Sequence, residues 1–254
     1  MNAARTEAVL AVRGLSKHFG GVQANADIEL TIAAQEIHAL IGPNGAGKTT
    51  LVAQLSGMLA PDYGSISFAG REIRQLAAHH RVRAGLSRSF QITSIFRRRS
   101  VLDNLALAVQ ARSGTSLSFW RPARAEAALF EEAHRLAISV GLGEREGELA
   151  GKLAHGEQRQ LEVGLALATC PRLLLLDEPM AGLGPEESER MIDLLAGLKG
   201  QIAMLLVEHD MDAVFRLADR ISVLVAGRII ATGTPTEIRA DAAVRAAYLG
   251  DADV

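Results

Sequence analysis

The sequence predicts an α/β fold: a mostly parallel sheet with helices on both faces and a helical block inserted in the middle. Three observations carry this. Short apolar segments, EIHALI (36–41), RLLLLDEP (172–179) and IAMLLVEHD (202–210), have the length and composition of strands buried on both faces. Helical segments alternate with them, as a parallel sheet requires. A glycine-rich stretch, GPNGAGKTT (42–50), joins the first of these strands directly to a helix.

In chain order, VLAVR (9–13) and DIELTI (27–32) read as strands ahead of EIHALI. The helix after the glycine-rich stretch, LVAQLSGML, is stopped near Pro61. SISFAG (65–70) is a short strand and turn, and GLSRSFQ (85–91) another strand. From about 100 to 168 Ala, Leu and Glu dominate in a helical pattern, broken by a loop at SGTSLSFWRP (113–122). After the two apolar strands come a helix at 210–218, a hairpin at ISVLVAGRIIATG (221–233) and two short helices. No internal repeat or long linker divides the chain.

Composition narrows the function. With 48% hydrophobic and 22% charged residues the chain can build a core and is not disordered. A net charge of −2 argues against a general nucleic-acid binder, so no nucleic-acid partner is expected. The single cysteine, Cys170, rules out an intramolecular disulfide, fits a reducing compartment and reads as a small buried or boundary residue. MNAARTEAVLAVRG lacks the apolar run of a signal peptide, and no aliphatic run is long enough to span a bilayer. Membrane work would therefore go through a partner. Charge is uneven: residues 71–99 hold eight arginines and one acid, Glu72. They are expected to form a solvated face, with a surface near an acidic partner or lipid headgroups as the other reading.

The chemistry gathers at strand ends. GPNGAGKT (42–49) has the spacing G-x-x-x-x-G-K-[ST] between a strand and a helix, the context of a phosphate cradle. Gly45 and Gly47 free the backbone to curl with N–H groups inward. Lys48 reaches the outer phosphates, the Thr49 hydroxyl suits Mg²⁺, and the helix start adds positive dipole. Gly42, Pro43, Asn44, Ala46 and Thr50 complete the cradle. LLLLDEP ends a buried strand in two carboxylates. Asp177 would hold Mg²⁺ through water, and Glu178 would polarise the attacking water. His209 ends the adjacent strand, where it could bind the γ-phosphate and orient Glu178. Gln91 offers an amide oxygen to Mg²⁺ or to the attacking water, and Phe19 a ring to an adenine. At the turn KLAHGEQ (152–158) a helix begins where neither Ala154 nor His155 is a good N-cap, so its free N–H groups need another partner.

Together, Phe19, GPNGAGKT, Gln91, LAHGEQ (153–158), LLLLDEP, AGLG (181–184) and His209, in that order, resemble the ATP-binding cassette family over nearly the whole chain. The resemblance implies a P-loop NTPase core of RecA type with an antiparallel β-subdomain and an inserted α-helical subdomain. As one nucleotide-binding domain over 1–254, it would divide into core and β-subdomain (about 1–90 and 170–254) and helical subdomain (about 91–169). It implies an ATPase using ATP and Mg²⁺, with Glu178, His209, Gln91 and Lys48 catalytic and Thr49, Gln91 and Asp177 at the metal. Two cassettes would sandwich two ATP molecules, and Ala154, His155, Gly156 and Glu157 would meet the γ-phosphate held by the other. On this reading the helix start is uncapped because that phosphate caps it.

Two positions depart from the family pattern. Ala154 stands where serine is usual, and Gly184 where aspartate is usual. Either could slow hydrolysis or loosen the sandwich. FGGVQAN (19–25), GLSRSFQ, the loop at 113–122, GEQRQLEVG (156–164) and AYLG (247–250) are most similar to ATP-binding subunits of branched-chain amino-acid importers. The expected partners are a second cassette, identical or different, transmembrane permease subunits docking in a groove beside Gln91, and indirectly a substrate-binding protein. The expected place is the cytoplasmic face of the inner membrane. A urea or amide importer, a lipopolysaccharide-type exporter and a soluble ATP-dependent switch are the alternatives.

Overall fold

The structure, a computed structural model, describes residues 8–89, 95–112 and 123–249. The alternation predicted from the apolar runs is present. Strands β1 (Ala8–Phe19), β2 (Val22–Ala33), β3 (Ile37–Ile41), β4 (Tyr63–Phe68), β5 (Arg71–Glu72) and β6 (Leu86–Arg88) enclose helices α1 (Lys48–Ser56) and α2 (Ala78–Arg83) in the first part of the chain. Helices α3 (Val101–Arg112), α4 (Ala123–Ser139) and α5 (His155–Leu167) follow. Then come β7 (Leu173–Asp177), α6 (Pro185–Leu198), β8 (Ala203–Val207), α7 (Met211–Leu217), β9 (Arg220–Val225), β10 (Arg228–Gly233), α8 (Pro235–Ala240) and α9 (Ala242–Val244).

Two sheets form. One is antiparallel, in the order β2-β1-β4-β5; the other runs β10-β9-β3-β8-β7-β6 and is parallel except for the β9–β10 hairpin. Every residue of β3, β7 and β8 is buried, which is why these strands read as mostly apolar runs, His38 of β3 being buried with its ring nitrogens paired to Glu36 and Ser222. Successive side chains serve opposite faces. Leu173 and Leu175 pack with Leu51, Leu10 and Ile28 between the sheets, while Leu174 and Leu176 pack with Met191, Ile192 and Leu195 of α6. Helices α3, α4 and α5 share a core of their own around Val101, Leu105, Ala137 and Leu161.

The structure differs from the sequence expectation in four places. Strand β1 runs on to Phe19, past the apolar stretch, because pairing with β2 continues through register shifts beyond Val12. Helix α2 has no counterpart in the apolar pattern. Nor does α6, although Pro185 at its start, Glu186 and Glu187 in its first turn, and Met191, Ile192 and Leu195 on one face are ordinary helix signals. Cys170 is exposed rather than buried and has φ 53°, with Arg112 Nη1 2.7 Å from its thiol.

The arginine-rich run is not one solvated face. Arg81 is 1% exposed and donates to the carbonyls of Gln54, Leu55, Leu76 and Arg74 at 2.7–2.9 Å. It closes the C-terminal end of α1, where a cation complements the helix dipole and satisfies carbonyls left without partners. Burial holds its guanidinium below its usual pKa. Arg81→Ala is expected to destabilise the fold by about 3 kcal/mol, lowering the thermal midpoint by roughly 6–12 °C. A melting curve within 2 °C of wild type would show that those carbonyls find water instead.

Candidate active site

Three neighbouring strands of the parallel sheet, β3, β8 and β7, lie side by side and end at one edge, the position where ligands bind in open α/β sheets. From the end of β3, residues 42–47 curl into α1. Gly47 has φ 104°, and a Cβ there would come 2.2 Å from the Ala24 carbonyl oxygen, so only glycine fits. Gly45 has φ 79° and no atom within 4 Å of where its Cβ would be, so its face of the loop lies open. Helix α1 begins at Lys48 with no side-chain cap. Asn44, Gly45 and Thr49 are exposed, Pro43, Gly47 and Thr50 half-buried, and Gly42 and Ala46 buried. Lys48 folds back over the loop, donating to Gly42 O at 2.6 Å and Pro43 O at 3.0 Å. Burial lowers the pKa of its ammonium, and the nearby charges of Glu178 and Asp177 oppose that shift.

Strand β7 delivers the carboxylates. Asp177 pairs in register with Val207 of β8, and Glu178 N–H donates to the Val207 carbonyl at 2.9 Å. The chain then turns at Glu178 with φ 52°, a left-handed conformation uncommon for a non-glycine residue and typical of functional sites. This turn aims the side chain at His209 beyond the end of β8; His209 Nδ1 lies 3.5 Å from Glu178 Oε1. Asp177 is buried. Arg88 Nη2 of β6 donates to its Oδ2 at 2.8 Å, while Oδ1 is buried with no hydrogen-bond partner. Burial pushes the Asp177 carboxyl up, and the Arg88 charge pulls it back.

The remaining sequence-predicted residues are placed as follows. Phe19 is 51% exposed at the end of β1, free to meet a ligand, with Lys17 Nζ 5.7 Å from its ring centre. Gln91 lies outside the described residues, as does the loop at 113–122. Helix α5 starts at His155 after the exposed Ala154, without a side-chain cap from Ala154. Its amides are nevertheless not bare. Glu187 Oε1 accepts from Gly156 N–H at 3.1 Å, and Glu157 Oε2 accepts from Ala154 N–H at 2.9 Å. Glu187 also accepts from Gly184 N–H at 3.1 Å through Oε2, closing the first turn of α6. The expectation of an uncapped helix start is thus corrected for Gly156. A glutamate at the third position of one helix caps its own start and reaches the start of another.

Sequence reasoning missed Arg88, Glu187 and Glu208. Glu208 is buried beside His209, and its carboxyl is pushed up by burial. It accepts from Met180 N–H at 2.8 Å and His209 N–H at 3.1 Å, tying the turn after Glu178 to the end of β8. Its position just after an apolar strand and next to His209 was the available signal.

Between the two sheets' side of the molecule and the helical block lies a cavity of about 640 Å³. Met58, Val82, Arg88, Phe96, Leu107 and Leu165 are among its lining residues. Met58 and Phe96 are 66% and 61% exposed, more than expected for such large apolar side chains. Among the described residues no helix is long and apolar enough to cross a membrane.

A strand–glycine loop–helix cradle, with two carboxylates and a histidine at the next strand ends, defines a P-loop nucleoside triphosphatase. The chain belongs to the ABC transporter family, whose model matches residues 26–181. It is an ATP-binding, ATP-hydrolysing enzyme of that family. A second model, the branched-chain amino acid ATP-binding cassette transporter, matches residues 228–254. The chain is 39% identical over 254 residues to the high-affinity branched-chain amino acid transport ATP-binding protein LivG of Salmonella typhimurium, covering 97% of this chain and all of the relative. It is 36% identical over 245 residues to the lipopolysaccharide export system ATP-binding protein LptB of Escherichia coli, covering 96% and 98% of the two chains. Among solved structures, the ADP conformation of MJ1267, an ATP-binding cassette of an ABC transporter, superimposes with a TM-score of 0.84 at 28% identity. That likeness covers 97% of this chain and all of the other.

Proposed function

We propose that this chain is the ATPase subunit of an importer of branched-chain amino acids, working at the cytoplasmic face of a membrane through permease subunits. The observation that carries the ATPase site is the convergence of the 42–50 loop, Asp177, Glu178 and His209 at one sheet edge, with His209 3.5 Å from Glu178. Similarity to LivG along the full chain, and the match of residues 228–254, support the importer and its substrate class.

The residues present fit Mg²⁺. The buried Asp177 Oδ1 without a partner and the exposed Thr49 are oxygen donors of the kind that hold it together with substrate phosphates. Among the described residues no cluster of three or more His, Cys, Asp or Glu forms an all-protein cage. Bound there, Mg²⁺ would neutralise charge on the β- and γ-phosphates. The amides of residues 44–50 and Lys48 hold the phosphate oxygens, with Lys48 exchanging its Gly42 and Pro43 carbonyls for them. Glu178 accepts a proton from the attacking water, and His209 holds Glu178 and the γ-phosphate in line. Phe19 would stack on the base, and Gln91, outside the described residues, would offer its amide oxygen to the metal or the attacking water.

The turn 154–157 faces the nucleotide of a second cassette, identical or different, and Glu187 must then release Gly156 or share it. The division of 1–254 into core and β-layer (about 1–90 and 170–254) and helical block (about 91–169) belongs to the same reading. The separate core of α3–α5 supports it. The cavity between these parts is the docking place for a permease, whose apolar segment would cover Phe96, Met58 and Leu107. Phe96→Asp is expected to reduce recovery of the permease complex at least tenfold in co-purification. Full recovery would place the docking face elsewhere.

Reconstitution with the permeases and substrate-binding protein tests the whole reading. ATPase activity should rise on adding leucine, isoleucine or valine with the binding protein. Stimulation by a lipopolysaccharide partner complex instead would favour export, the second reading that the likeness to LptB supports.

A further inference from the structure

Arg88 stands at the end of β6 with a different role on each side. On one side its Nη2 anchors Asp177 Oδ2 at 2.8 Å, where the Asp177 side chain is wholly buried and that of Arg88 15% exposed. A carboxylate fixed through one oxygen has little freedom to turn, so its second oxygen, Oδ1, is held in one direction. That atom is buried and has no protein partner, and Lys48 and Glu178 are close enough for their charges to act on Asp177. On the other side Arg88 lines the cavity between the core and the helical block, beside Val82 and Phe96. One side chain therefore touches both the carboxylate of the nucleotide site and the wall of the groove.

We propose that Arg88 is a positioning residue that locks Asp177 so that Oδ1 alone serves the metal, and that it ties this carboxylate to the groove wall. The proposal rests on the reading of residues 42–50 and Asp177 as a Mg²⁺–nucleotide site. Partners that orient a metal-binding group typically change metal affinity about 10–100-fold when removed. The contact is a single Nη2–Oδ2 hydrogen bond, made by a flat, delocalised guanidinium whose reach and direction a lysine ammonium on its flexible stem reproduces only in part.

The test is the Mg²⁺ concentration at half-maximal binding of a fluorescent ATP analogue to the purified full chain, with Mn²⁺ paramagnetic resonance as a second readout. Arg88→Gln should raise that midpoint at least tenfold, while nucleotide binding in EDTA stays at the wild-type level. Arg88→Lys should recover only part of the loss. An unchanged midpoint in Arg88→Gln overturns the proposal. So does an equal loss of binding with Mg²⁺ and with EDTA, which marks general damage. Should Arg88→Gln fail to fold, Arg88→Lys carries the test: a several-fold higher midpoint supports the role, and the wild-type value refutes it. If the wild-type chain binds nucleotide without any dependence on Mg²⁺, the underlying site reading falls and the proposal falls with it; a normal wild-type response beside an unchanged variant removes the role of Arg88 alone.

Discussion

Glu178→Gln is expected to lower the turnover number for ATP hydrolysis by about 10²–10⁴-fold, the span usual for removing a general base. The amide matches the carboxylate in size but cannot take a proton from water. Backbone placement should survive, because it is set by the hydrogen bond of the residue 178 amide to Val207 O and by the turn after β7. ATP binding should therefore be kept while its consumption stops, so the variant accumulates in an ATP-loaded state. In that state it should associate stably with a second cassette, its own copy or a paired one. Single-turnover hydrolysis separates chemistry from product release. A rate within threefold of wild type would remove Glu178 from the chemistry and leave His209 as the base.

Lys48→Ala is the second large effect. In the structure the ammonium rests on two carbonyls of its own loop, at 2.6 and 3.0 Å. A triphosphate offers charged oxygens instead, and hydrogen bonds to charged groups contribute roughly 1.5–3 kcal/mol each. Losing two of them corresponds to about 3–6 kcal/mol, or roughly 10²–10⁴-fold in nucleotide affinity or turnover. Calorimetric titration with ATP, paired with a melting curve of the empty variant, distinguishes loss of the ligand contact from loss of the loop. Wild-type affinity in a folded variant would exclude residues 42–49 as the phosphate cradle.

Part of this was legible in the chain because it is local. β3, β7 and β8 announce themselves as apolar runs since both faces are buried, and the loop at 42–49 carries its own spacing. The strand-end placement of Glu178 and His209 followed from the same runs. What stayed hidden depends on partners far along the sequence. Arg81 and Arg88 sit in one basic stretch, yet the first finds carbonyls 26 and 27 residues away and the second a carboxylate 89 residues away. Charge along a sequence does not reveal which members are buried. Glu187 was equally unreadable: it reaches Gly156 across 31 residues, and only the packing of α5 against α6 brings them together. The weak N-cap at Ala154 did signal that something else must meet the start of α5. That something is, in this structure, a glutamate of the same chain.

The most direct test is a crystal structure of the chain with Mg²⁺ and a non-hydrolysable ATP analogue. Lys48 Nζ is expected to move from Gly42 O and Pro43 O onto the β- and γ-phosphate oxygens, with Glu178 facing the γ-phosphate. A triphosphate bound away from residues 42–49, with Lys48 still on its own loop carbonyls, would contradict this reading.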